Sequence, residues 1–471
     1  MNFDNSYAKL PEHFYARVSP APAPEPQLLA WNQELAEELG LGHLGEDQAK
    51  LARIFSGSEL PEGAEPIALA YAGHQFGYFN PQLGDGRALL LGEVVGRGGR
   101  RVDLQLKGSG RTPFSRGGDG KAAIGPVIRE YLLSEFMHRV GVPSTRALAA
   151  VQTGESVVRE QMLPGAVLTR VAASHIRVGT FEYFAARRDT QALQTLVEYA
   201  IERHYPEVQE AEKPVVAFFA RVVEGQARLI AHWMSLGFIH GVMNTDNTAI
   251  SGETIDYGPC AFMDEFEFDK VFSSIDRNGR YAYVEQAPIG HWNLTRLAGC
   301  LMRLEPEKAL FEAQLDRFQG LFEESYFAHM RGKLGLAEEQ PQDRELIVAW
   351  LQHLQKNELD YTLSFRRLGE RIRADGPNVF GRFEAAWRQR VETQQQPVES
   401  VRERMDALNP LFIPRNHQVE RAIEAAIGGD RSVFDELQQV LQQPFAEQAG
   451  LAQYAEPPGP DERVTRTFCG T

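Results

Sequence analysis

The pattern of apolar and polar positions predicts an antiparallel hairpin near residue 100. Residues 87–95 are apolar for most of their length, and residues 101–107 alternate apolar and polar side chains. The glycine-rich turn 96–99 separates the two runs. Runs of this kind, joined by a short glycine turn, are typical of paired strands. We therefore predict two antiparallel strands, with Lys107 at the end of the second.

Helical periodicity follows and then dominates the chain. Apolar residues recur at helical spacing over 124–137, which predicts a helix that carries Glu130. Pro214 suits the first turn of a long helix whose apolar face stops at Gly237. Residues 291–445 have the periodicity of successive amphipathic helices. The second half of the chain is therefore expected to be mostly helical.

Three further predictions concern less regular segments. Four prolines within residues 20–26 indicate an extended stretch, and a helix is predicted from about residue 28 to residue 39. Residues 248–255 have the pattern of a short hairpin that turns at Ser251 and Gly252. The proline-rich segment that starts at residue 454 predicts an extended tail.

The order of these elements indicates a two-lobed architecture. Strand, lysine, loop, helix and glutamate follow one another as in a kinase-like N-lobe, where the glutamate orients a lysine that holds phosphates. We therefore expect an α+β, bilobal protein-kinase-like fold, with a small β-rich N-lobe and a large, mostly helical C-lobe. The predicted divisions are an N-terminal extension (1–60), the N-lobe (61–180), the C-lobe (181–453) and a C-terminal tail (454–471).

The composition is that of an ordinary globular protein, with 471 residues, 43% hydrophobic and 24% charged. The formal net charge of −15 argues against nucleic acid as a partner, because duplex binding relies on a basic surface. Residues 97–121 depart from this balance, with seven Lys or Arg against two acids. This segment is either part of an anion-binding pocket or a solvated basic loop.

The chain carries no pattern of a secretory or membrane-spanning segment. Residues 1–6 lack a basic and an apolar region, and no apolar run approaches the roughly 20 residues that span a bilayer. We therefore expect a cytoplasmic protein with no membrane partner and favour a monomer, although the sequence does not fix the oligomeric state. The three cysteines, Cys260, Cys300 and Cys469, exclude a disulfide scaffold and a zinc site of ordinary spacing.

Residues 240–247, His-Gly-Val-Met-Asn-Thr-Asp-Asn, have the character of a kinase-like catalytic loop. Such loops carry their proton-accepting carboxylate two residues after the His, where this chain has Val242. Asp246 is instead the candidate general base, with structural capping of the loop as the alternative. Asn247 and Asp256 are candidate Mg²⁺ ligands, because Mg²⁺ takes one or two protein ligands and completes its shell with nucleotide phosphates. Their alternative roles are a capping amide and a turn aspartate.

Glycine, arginine and aspartate residues complete the candidate site. The further candidates are Gly84, Gly86, Arg87, Asp119, Gly120, Arg170 and Arg177. The glycines match no strict phosphate-binding signature, and each of these residues alone is a weak signal. The two arginines, Arg170 and Arg177, lie close enough in sequence to reach one ligand, and guanidinium groups match phosphate oxygens.

Taken together, these motifs closely resemble those of selenoprotein O, a pseudokinase family of protein adenylyltransferases. The resemblance runs from about residue 8 to the C-terminus and rests on several long motifs. These are Gly-His-Gln-Phe-Gly at 73–77, Gln-Leu-Gly-Asp-Gly-Arg at 82–87, Leu-Lys-Gly at 106–108, Gly-Asp-Gly-Lys at 118–121, the segment 240–247, and Asp-Tyr-Gly-Pro at 256–259.

The resemblance implies transfer of AMP from ATP to a Ser, Thr or Tyr hydroxyl of a protein, the chain itself included, with release of pyrophosphate. It implies that ATP lies inverted in the kinase cleft, with Mg²⁺ or Mn²⁺ as the metal. Asp246 resembles the family's proton acceptor, and Asn247 and Asp256 its metal ligands, with Asp256 also part of the nucleotide site. The residues that look like the other nucleotide contacts are Gly84, Gly86, Arg87, Lys107 oriented by Glu130, Asp119, Gly120, Arg170 and Arg177.

The resemblance also implies a redox role for two cysteines. Some animal members carry selenocysteine third from the C-terminus, where this chain has Cys469. The family suggests a disulfide between Cys469 and Cys260, which would couple the mobility of the cleft to the redox state. Cytosolic disulfides are uncommon, which argues against it. Cys300 has an apolar helical context and is expected in the core.

Three alternative functions stay open. An ordinary ATP phosphotransferase would use the same Lys107, Glu130, Asn247 and Asp256 but should carry a carboxylate at position 242. A UTP-dependent nucleotidyl transfer is a close variant, because base discrimination is not visible in these motifs. A silent nucleotide-binding scaffold would bind ATP and label nothing.

Overall fold

The computed structural model describes residues 1–372 and 378–468. The strands are β1 (Tyr15–Arg17), β2 (Gln27–Trp31), β3 (Ile67–Leu69), β4 (Gly73–Gln75), β5 (Tyr78–Asn80), β6 (Ala88–Val95), β7 (Arg101–Lys107), β8 (Ala122–Ala123), β9 (Arg146–Val158), β10 (Met162–Ala172), β11 (Phe238–Ile239) and β12 (Ala261–Phe262). The helices of the first half are α1 (Gln33–Glu38), α2 (Gln48–Ser56), α3 (Ile124–Arg139), α4 (Val178–Ala186), α5 (Thr190–His204) and α6 (Pro214–Ser235). Those of the second half are α7 (Gln286–Leu301), α8 (Lys308–Leu315), α9 (Arg317–Lys333), α10 (Asp343–Lys356), α11 (Tyr361–Arg371), α12 (Gly381–Glu392), α13 (Val398–Leu408), α14 (Asn416–Ile427) and α15 (Ser432–Leu441).

An eight-stranded sheet forms the N-terminal lobe. Its strand order is β1-β3-β6-β7-β10-β9-β2, with β8 paired to β10. The predicted hairpin is confirmed, because β6 and β7 pair antiparallel with Ala88 opposite Lys107. The next strand across the sheet, β10, is also antiparallel to β7 and places Arg170 opposite Gln105. Lys107 and Arg170 therefore project from neighbouring strands.

The helix predicted over residues 28–39 is wrong in its first half. Gln27–Trp31 forms β2, which pairs antiparallel with β9 at one edge of the sheet. The Asn32 side chain accepts a hydrogen bond from Leu35 N at 3.1 Å and caps the short helix α1. An Asn cap marks where a helix begins, so the apolar run before Asn32 lies outside α1, and its pairing with β9 assigns it to the sheet. The N-terminal segment thus contributes edge strands, since β1 also pairs with β3.

Helix α3 is the predicted helix that carries Glu130. It packs against β9 and β10 on one side and against α14 on another. Most of its residues are buried, including Glu130 and the neighbouring Arg129. A helix enclosed on several sides holds its polar groups in fixed positions, which is what a precise site requires.

The C-terminal region is helical from α4 onward, as predicted. Helix α6 has Pro214 at its first position and ends before Gly237, whose φ of +71° is left-handed. The hairpin predicted over 248–255 is wrong. A turn is present there, but Ala249 bridges to Arg177 and Thr254 to Ser144, so the two arms pair with other segments. Long-range partners have replaced the local pairing.

The architecture is mixed α and β, with an antiparallel sheet in the N-terminal lobe and a helical C-terminal region, consistent with a kinase-like fold. After a 3₁₀ turn at Ala452–Tyr454, the described part of the tail contains no helix and no named strand. The extended tail stays a prediction. Within the described ranges, every helix is too short or too polar to cross a bilayer.

Candidate active site

A buried ionic cluster joins the sheet, helix α3 and the loop before β12. Lys107 Nζ donates to Glu130 Oε2 at 2.6 Å and to Asp256 Oδ1 at 2.5 Å. Arg170 Nε donates to Glu130 Oε1 at 2.7 Å, and its Nη2 lies 3.5 Å from Asp256 Oδ1. Two basic and two acidic side chains therefore form one closed ring of ion pairs, and the predicted contact of Lys107 with Glu130 is confirmed.

The ring keeps its two carboxyl groups ionised. Burial by itself raises the pKa of Glu130, but Arg170 and Lys107 outweigh it and the net direction is downward. The same balance holds the pKa of Asp256 far below its ordinary value, with Lys107 first among the opposing causes and Arg170 second. Opposite charges at hydrogen-bonding distance stabilise a buried carboxylate in this way. The surrounding cations therefore favour the ionised form of Asp256.

His240 anchors the candidate catalytic loop, residues 240–247, in the core. Its Nε2 donates to the Ile255 carbonyl at 2.9 Å, so the loop is tied to the residue before Asp256. Val242 is buried and offers no proton-accepting atom at the position where a kinase has its base. Residues Thr245–Asn247 form a single turn of 3₁₀-helix that carries Asp246.

Asp246 has the surroundings of a proton acceptor. Its Oδ2 accepts a hydrogen bond from Gln75 Nε2 at 3.0 Å. Its Oδ1 is buried and makes no hydrogen bond within residues 1–372 and 378–468. Burial raises the pKa of Asp246 to about 6, against the lowering effects of Gln75 and Arg177. A buried carboxylate with one unpartnered oxygen is suited to taking a proton from a substrate hydroxyl.

The hairpin β4–β5 covers this loop, and its role was not predicted from the sequence. His74 N donates to Thr245 Oγ1 at 2.7 Å, and Phe76 N donates to Asn244 Oδ1 at 3.1 Å. A Cβ on Gly73 would lie 2.7 Å from Asp246 Oδ1, so only glycine allows this approach. The Gly-His-Gln-Phe-Gly motif at 73–77 gave the signal, but sequence alone does not show that it reaches the catalytic loop.

Arg177 links Asp246 to the ionic ring. Its Nη1 donates to the Asp246 carbonyl at 3.1 Å, and its guanidinium lies 4.3 Å from the centre of the Tyr71 ring. Its Nη2 is 3.7 Å from Asp85 Oδ1. Gln105 then joins Asp85 to the ring of ion pairs. Its Nε2 donates to Asp85 Oδ2 at 3.2 Å, and its Oε1 accepts a hydrogen bond from Arg170 Nη1 at 3.3 Å. The two predicted arginines thus lie on one polar network, which includes Asp85 and Gln105, both missed by sequence analysis.

The glycine loop at Gly84 and Gly86 packs against a second loop rather than standing open. A Cβ on Gly84 would lie 2.3 Å from the Phe114 ring, and one on Gly86 would lie 2.8 Å from the Phe114 carbonyl. Thr112 Oγ1 donates to the Asp85 carbonyl at 2.7 Å and fastens the two loops together. Arg87, which follows, contributes to the low pKa of the Asp256 carboxyl. The loop therefore borders the ionic ring through Arg87.

Asp119 and Gly120 lie in the second loop but outside the ring. Asp119 pairs with Arg159 at 2.8 Å and accepts from Lys121 N at 2.9 Å, which lowers its pKa. Gly120 has a φ of +70°, and a Cβ there would lie 2.1 Å from the Gly110 carbonyl oxygen. None of the hydrogen bonds described for Asp119 reaches Lys107 or Asp246. The contact of Asp119 and Gly120 with a nucleotide therefore stays a prediction.

The basic residues of segment 97–121 do not all fit one interpretation, because some are exposed like a solvated loop and others are partly or fully buried. Its exposed members are Arg97, Arg100, Arg111 and Arg116. Lys107 is buried in the ring, and Lys121 pairs with Glu155. The positive charge at the site therefore comes from Lys107 together with Arg170 and Arg177, not from the segment as a whole.

Comparisons with known proteins show the family of the chain. A family model described as protein adenylyltransferase SelO matches residues 1–442. This chain belongs to the SelO family. A protein nucleotidyltransferase YdiU from Bradyrhizobium diazoefficiens is 54% identical over 485 residues, covering 100% of this chain and 99% of the relative. Proteins of the same name from Rhizobium johnstonii and Rhodopseudomonas palustris are each 54% identical, over 490 and 486 residues, covering 100% of this chain and 97% and 99% of the relatives.

Membership of the SelO family makes the chain an enzyme of the nucleotidyltransferase class, whose substrate is a nucleotide. In the described part of the chain, no three His, Cys, Asp or Glu side chains converge to hold a metal by themselves. Asn247 Nδ2 donates to the Val242 carbonyl at 3.1 Å, which turns its Oδ1 away from that bond. Asp256 uses Oδ1 for Lys107, and no described hydrogen bond occupies its Oδ2. One amide and one carboxylate oxygen fit a divalent cation that also binds nucleotide phosphates.

The cysteines of this SelO-family chain are only partly described. Cys260 and Cys300 are buried free thiols, as expected for Cys300, and burial raises the pKa of both. Cys469, the predicted partner of Cys260, lies outside the described residues. Thr467 donates its hydroxyl proton to the Pro259 carbonyl, and its N donates to the Phe272 carbonyl at 2.8 Å. The described tail therefore ends beside the residue that precedes Cys260.

Proposed function

We propose that this SelO-family nucleotidyltransferase transfers AMP from ATP to Ser, Thr or Tyr hydroxyls of proteins and releases pyrophosphate. The observation that supports it most is the pairing of a buried, partly unpartnered Asp246 with an inert Val242 in the same loop. The protein retains a proton acceptor, but not at the position from which a kinase serves the γ-phosphate. Asp246 therefore suits a reaction in which the acceptor hydroxyl attacks a phosphorus other than that of the γ-phosphate.

Inversion of the nucleotide is part of the proposal. A triphosphate placed deep in the cleft carries several negative charges, which require cations there. The side chains of Lys107, Arg170 and Arg177 are all buried and belong to one polar network, which would supply these cations. The Nη2 atom of Arg177 is buried without a hydrogen bond in the described ranges, which leaves a donor for a phosphate oxygen.

The proposed step is an in-line displacement. Asp246 accepts the proton of the acceptor hydroxyl, whose oxygen forms a bond to the α-phosphorus. The bond from the α-phosphorus to the bridging oxygen of the β-phosphate breaks, and pyrophosphate leaves with that electron pair. Lys107 and the two arginines stabilise the charge on the phosphate oxygens. A Mg²⁺ or Mn²⁺ ion held by Asn247 and Asp256 would neutralise part of the triphosphate charge when bound.

Labelled ATP separates the competing functions. The purified chain is incubated with a mixture of acceptor proteins, Mg²⁺ or Mn²⁺, and ATP labelled at either the α or the γ position. We expect α-label on protein and free labelled pyrophosphate from the γ-labelled substrate. Transfer of γ-label to protein would establish a kinase instead. Absence of any label, together with measurable ATP binding, would establish a silent scaffold, and a parallel reaction with α-labelled UTP ranks the two nucleotides.

Asp246→Asn tests the assigned base within the same assay. We expect a loss of about 10²- to 10⁴-fold in AMP transfer, the contribution usual for a general base. Asp269→Asn is the matched control, because Asp269 is exposed and lies outside the site. Unchanged turnover in Asp246→Asn would refute the assignment.

The predicted redox bridge between Cys260 and Cys469 is a second part of the proposal. It is supported by the contact of Thr467 with Pro259, which brings the tail beside Cys260. We expect oxidised glutathione to change the activity of the wild-type protein and to leave Cys260→Ala unaffected. Equal responses of the two proteins would rule out this bridge, whereas Cys300→Ala should behave as wild type.

A further inference from the structure

A cavity of about 350 Å³ lies where the ends of α3 and α6 meet α9 and α13. Four of its lining residues are basic, namely Arg139 at the end of α3, His232 on α6, and His329 and Lys333 on α9. No Asp or Glu is among the described residues that line it. The protein as a whole has a net charge of −15, so a cavity whose titratable lining residues are all basic is a local exception that needs an explanation.

Lys333 is the most buried of the four basic residues that line this cavity. Its residue surface is only 4% exposed, and its Nζ lies 4.3 Å from the centre of the Phe365 ring and 5.7 Å from that of Tyr361. No carboxylate of the described residues opposes the loss of hydration, and burial alone lowers the pKa of Lys333 to about 7. Buried lysines are almost always paired with an acid. This one has two aromatic faces in place of an anion.

The two histidines stand beside this amine. The rings of His232 and His329 stack with their centres 4.2 Å apart and their planes at 15°. Burial is the main cause that lowers the pKa of both histidines, to about 3 for His232. His329 contributes to the shift of His232, and Lys333 contributes to the shifts of both. Three nitrogen bases thus line one cavity, and burial disfavours the protonated form of each.

We propose that this cavity binds a small organic anion, a carboxylate or a phosphate monoester with an apolar body, whose anionic head pairs with Lys333. The apolar body would lie against Leu236, Leu408 and Phe445, which line the same cavity. The cavity is within the size range of small-molecule sites and combines apolar walls with a few convergent polar groups, as such sites usually do. This inference does not depend on the nucleotide chemistry proposed above.

Binding of an anion should be coupled to proton uptake. The titratable or charged groups that share the cavity with Lys333 are His329 on its own helix, His232 on α6 and Arg139 on α3, and its Nζ also lies over the ring of Tyr361 on α11. Arg139 is already paired with Glu34, and the Tyr361 hydroxyl donates to the Ser235 carbonyl at 2.8 Å. The remaining amine and imidazoles are the groups that gain a proton when an anion enters.

Calorimetric titration of the full chain tests the proposal. The probes are benzoate, phenyl phosphate and the neutral benzyl alcohol, each measured in two buffers of different ionisation enthalpy near pH 7.5. We expect saturable one-to-one binding of at least one anion, with net proton uptake, and at least about tenfold weaker binding of the alcohol. The two anions distinguish a carboxylate ligand from a phosphate ligand.

Variants locate the binding. Lys333→Met should weaken the anion at least about tenfold, while Lys356→Met, an exposed lysine on α10, should not. Lys107→Met should leave it unchanged, because the nucleotide cleft is a separate site. His232→Phe preserves the stacking of an aromatic ring on His329, and it provides a second variant if Lys333→Met does not fold. The proposal is overturned if neither anion saturates, if the folded cavity variant binds like wild type, or if only Lys107→Met abolishes binding.

Discussion

Two lysines of this protein are buried to a similar degree and have opposite surroundings. Lys107 lies in a ring with two carboxylates and an arginine, whereas Lys333 lies against aromatic rings and two imidazoles. Burial removes hydration from both amines, so burial does not explain the difference. The partners do, because an ion pair offsets the loss of hydration and an aromatic face offsets little of it.

The comparison separates two ways of preparing a site for an anion. Around Lys107 the charges are already balanced, and a nucleotide or metal must exchange with partners that are present. Around Lys333 the balancing charge is missing, so an anion from outside would supply it. The first arrangement favours precise geometry, and the second favours capture of a ligand. Four predictions follow from this difference, in order of decreasing effect.

Glu130→Gln should break the balance around Lys107. It leaves Lys107 and Arg170 with one carboxylate between them, and the loss of one partner from a buried ion pair costs about 3–5 kcal/mol. Urea unfolding at pH 7 measures the loss. The exposed pair of Glu207 and Arg221 provides the control, since Glu207→Gln should change stability by no more than about 1 kcal/mol. Equal effects of the two substitutions would contradict the described ring.

Lys107→Met and Lys333→Met together test whether only the first lysine is needed for activity. We expect AMP transfer to fall by about 10²- to 10³-fold, as when one charge-stabilising donor is removed from an active site. Lys333→Met, measured beside it with no added anion, should retain the wild-type rate because Lys333 has no place in the nucleotide site. If both variants lost activity alike, the functional separation of the two regions would be wrong.

Lys333→Met should also reveal the cost of an unpaired buried amine. Burial lowers the pKa of Lys333 from its ordinary value of 10.5 to about 7, so between these values the unfolded chain binds more protons than the folded chain. Stability of the wild-type protein therefore rises with pH across this window and is lost again as the pH falls toward 7.

From pH 7 to pH 9 the wild-type protein should gain about 2–3 kcal/mol relative to Lys333→Met, which cannot titrate at this position. At pH 7 the variant should be the more stable of the two. Urea unfolding of both proteins at the two pH values measures the difference, and parallel pH profiles would show that Lys333 has an anionic partner after all.

Gln75→Ala should give the smallest effect, because it removes one neutral donor from Asp246. We expect kcat to fall about tenfold, the value of a net hydrogen bond to a charged group, with KM for ATP unchanged. Gln319→Ala, on the exposed face of α9, is the control. A rise in KM for ATP without a change in kcat would place Gln75 in nucleotide binding instead of base positioning.

The parts of the site that were predicted from sequence are those encoded by local pattern and by order along the chain. The alternation before Lys107 and the periodicity around Glu130 each define an element, and the order of the two elements brings the residues together. The same reasoning failed at residues 28–31, because an apolar run next to a helix has no local feature that assigns it to a distant sheet edge. It failed again at residues 248–255, where both arms found partners elsewhere.

Contacts between distant segments account for what sequence analysis missed. Gln75 meets Asp246 across 171 positions, and nothing near either residue specifies the encounter. Lys333 has the same limitation, since a lysine near the end of an amphipathic helix has the pattern of a solvated side chain. Only packing of α9 against α6 and α13 shows that it is enclosed.

Helix α6 connects the two regions compared above. Its last turn forms part of the wall around Lys333, and four residues beyond its cap at Leu236 the chain arrives at His240. This connection matters for the design of chemical tools, because inhibitors that bind a kinase-type cleft must compete with cellular nucleotide. A ligand bound at the end of this helix would contact the segment that leads to His240 without occupying the nucleotide site.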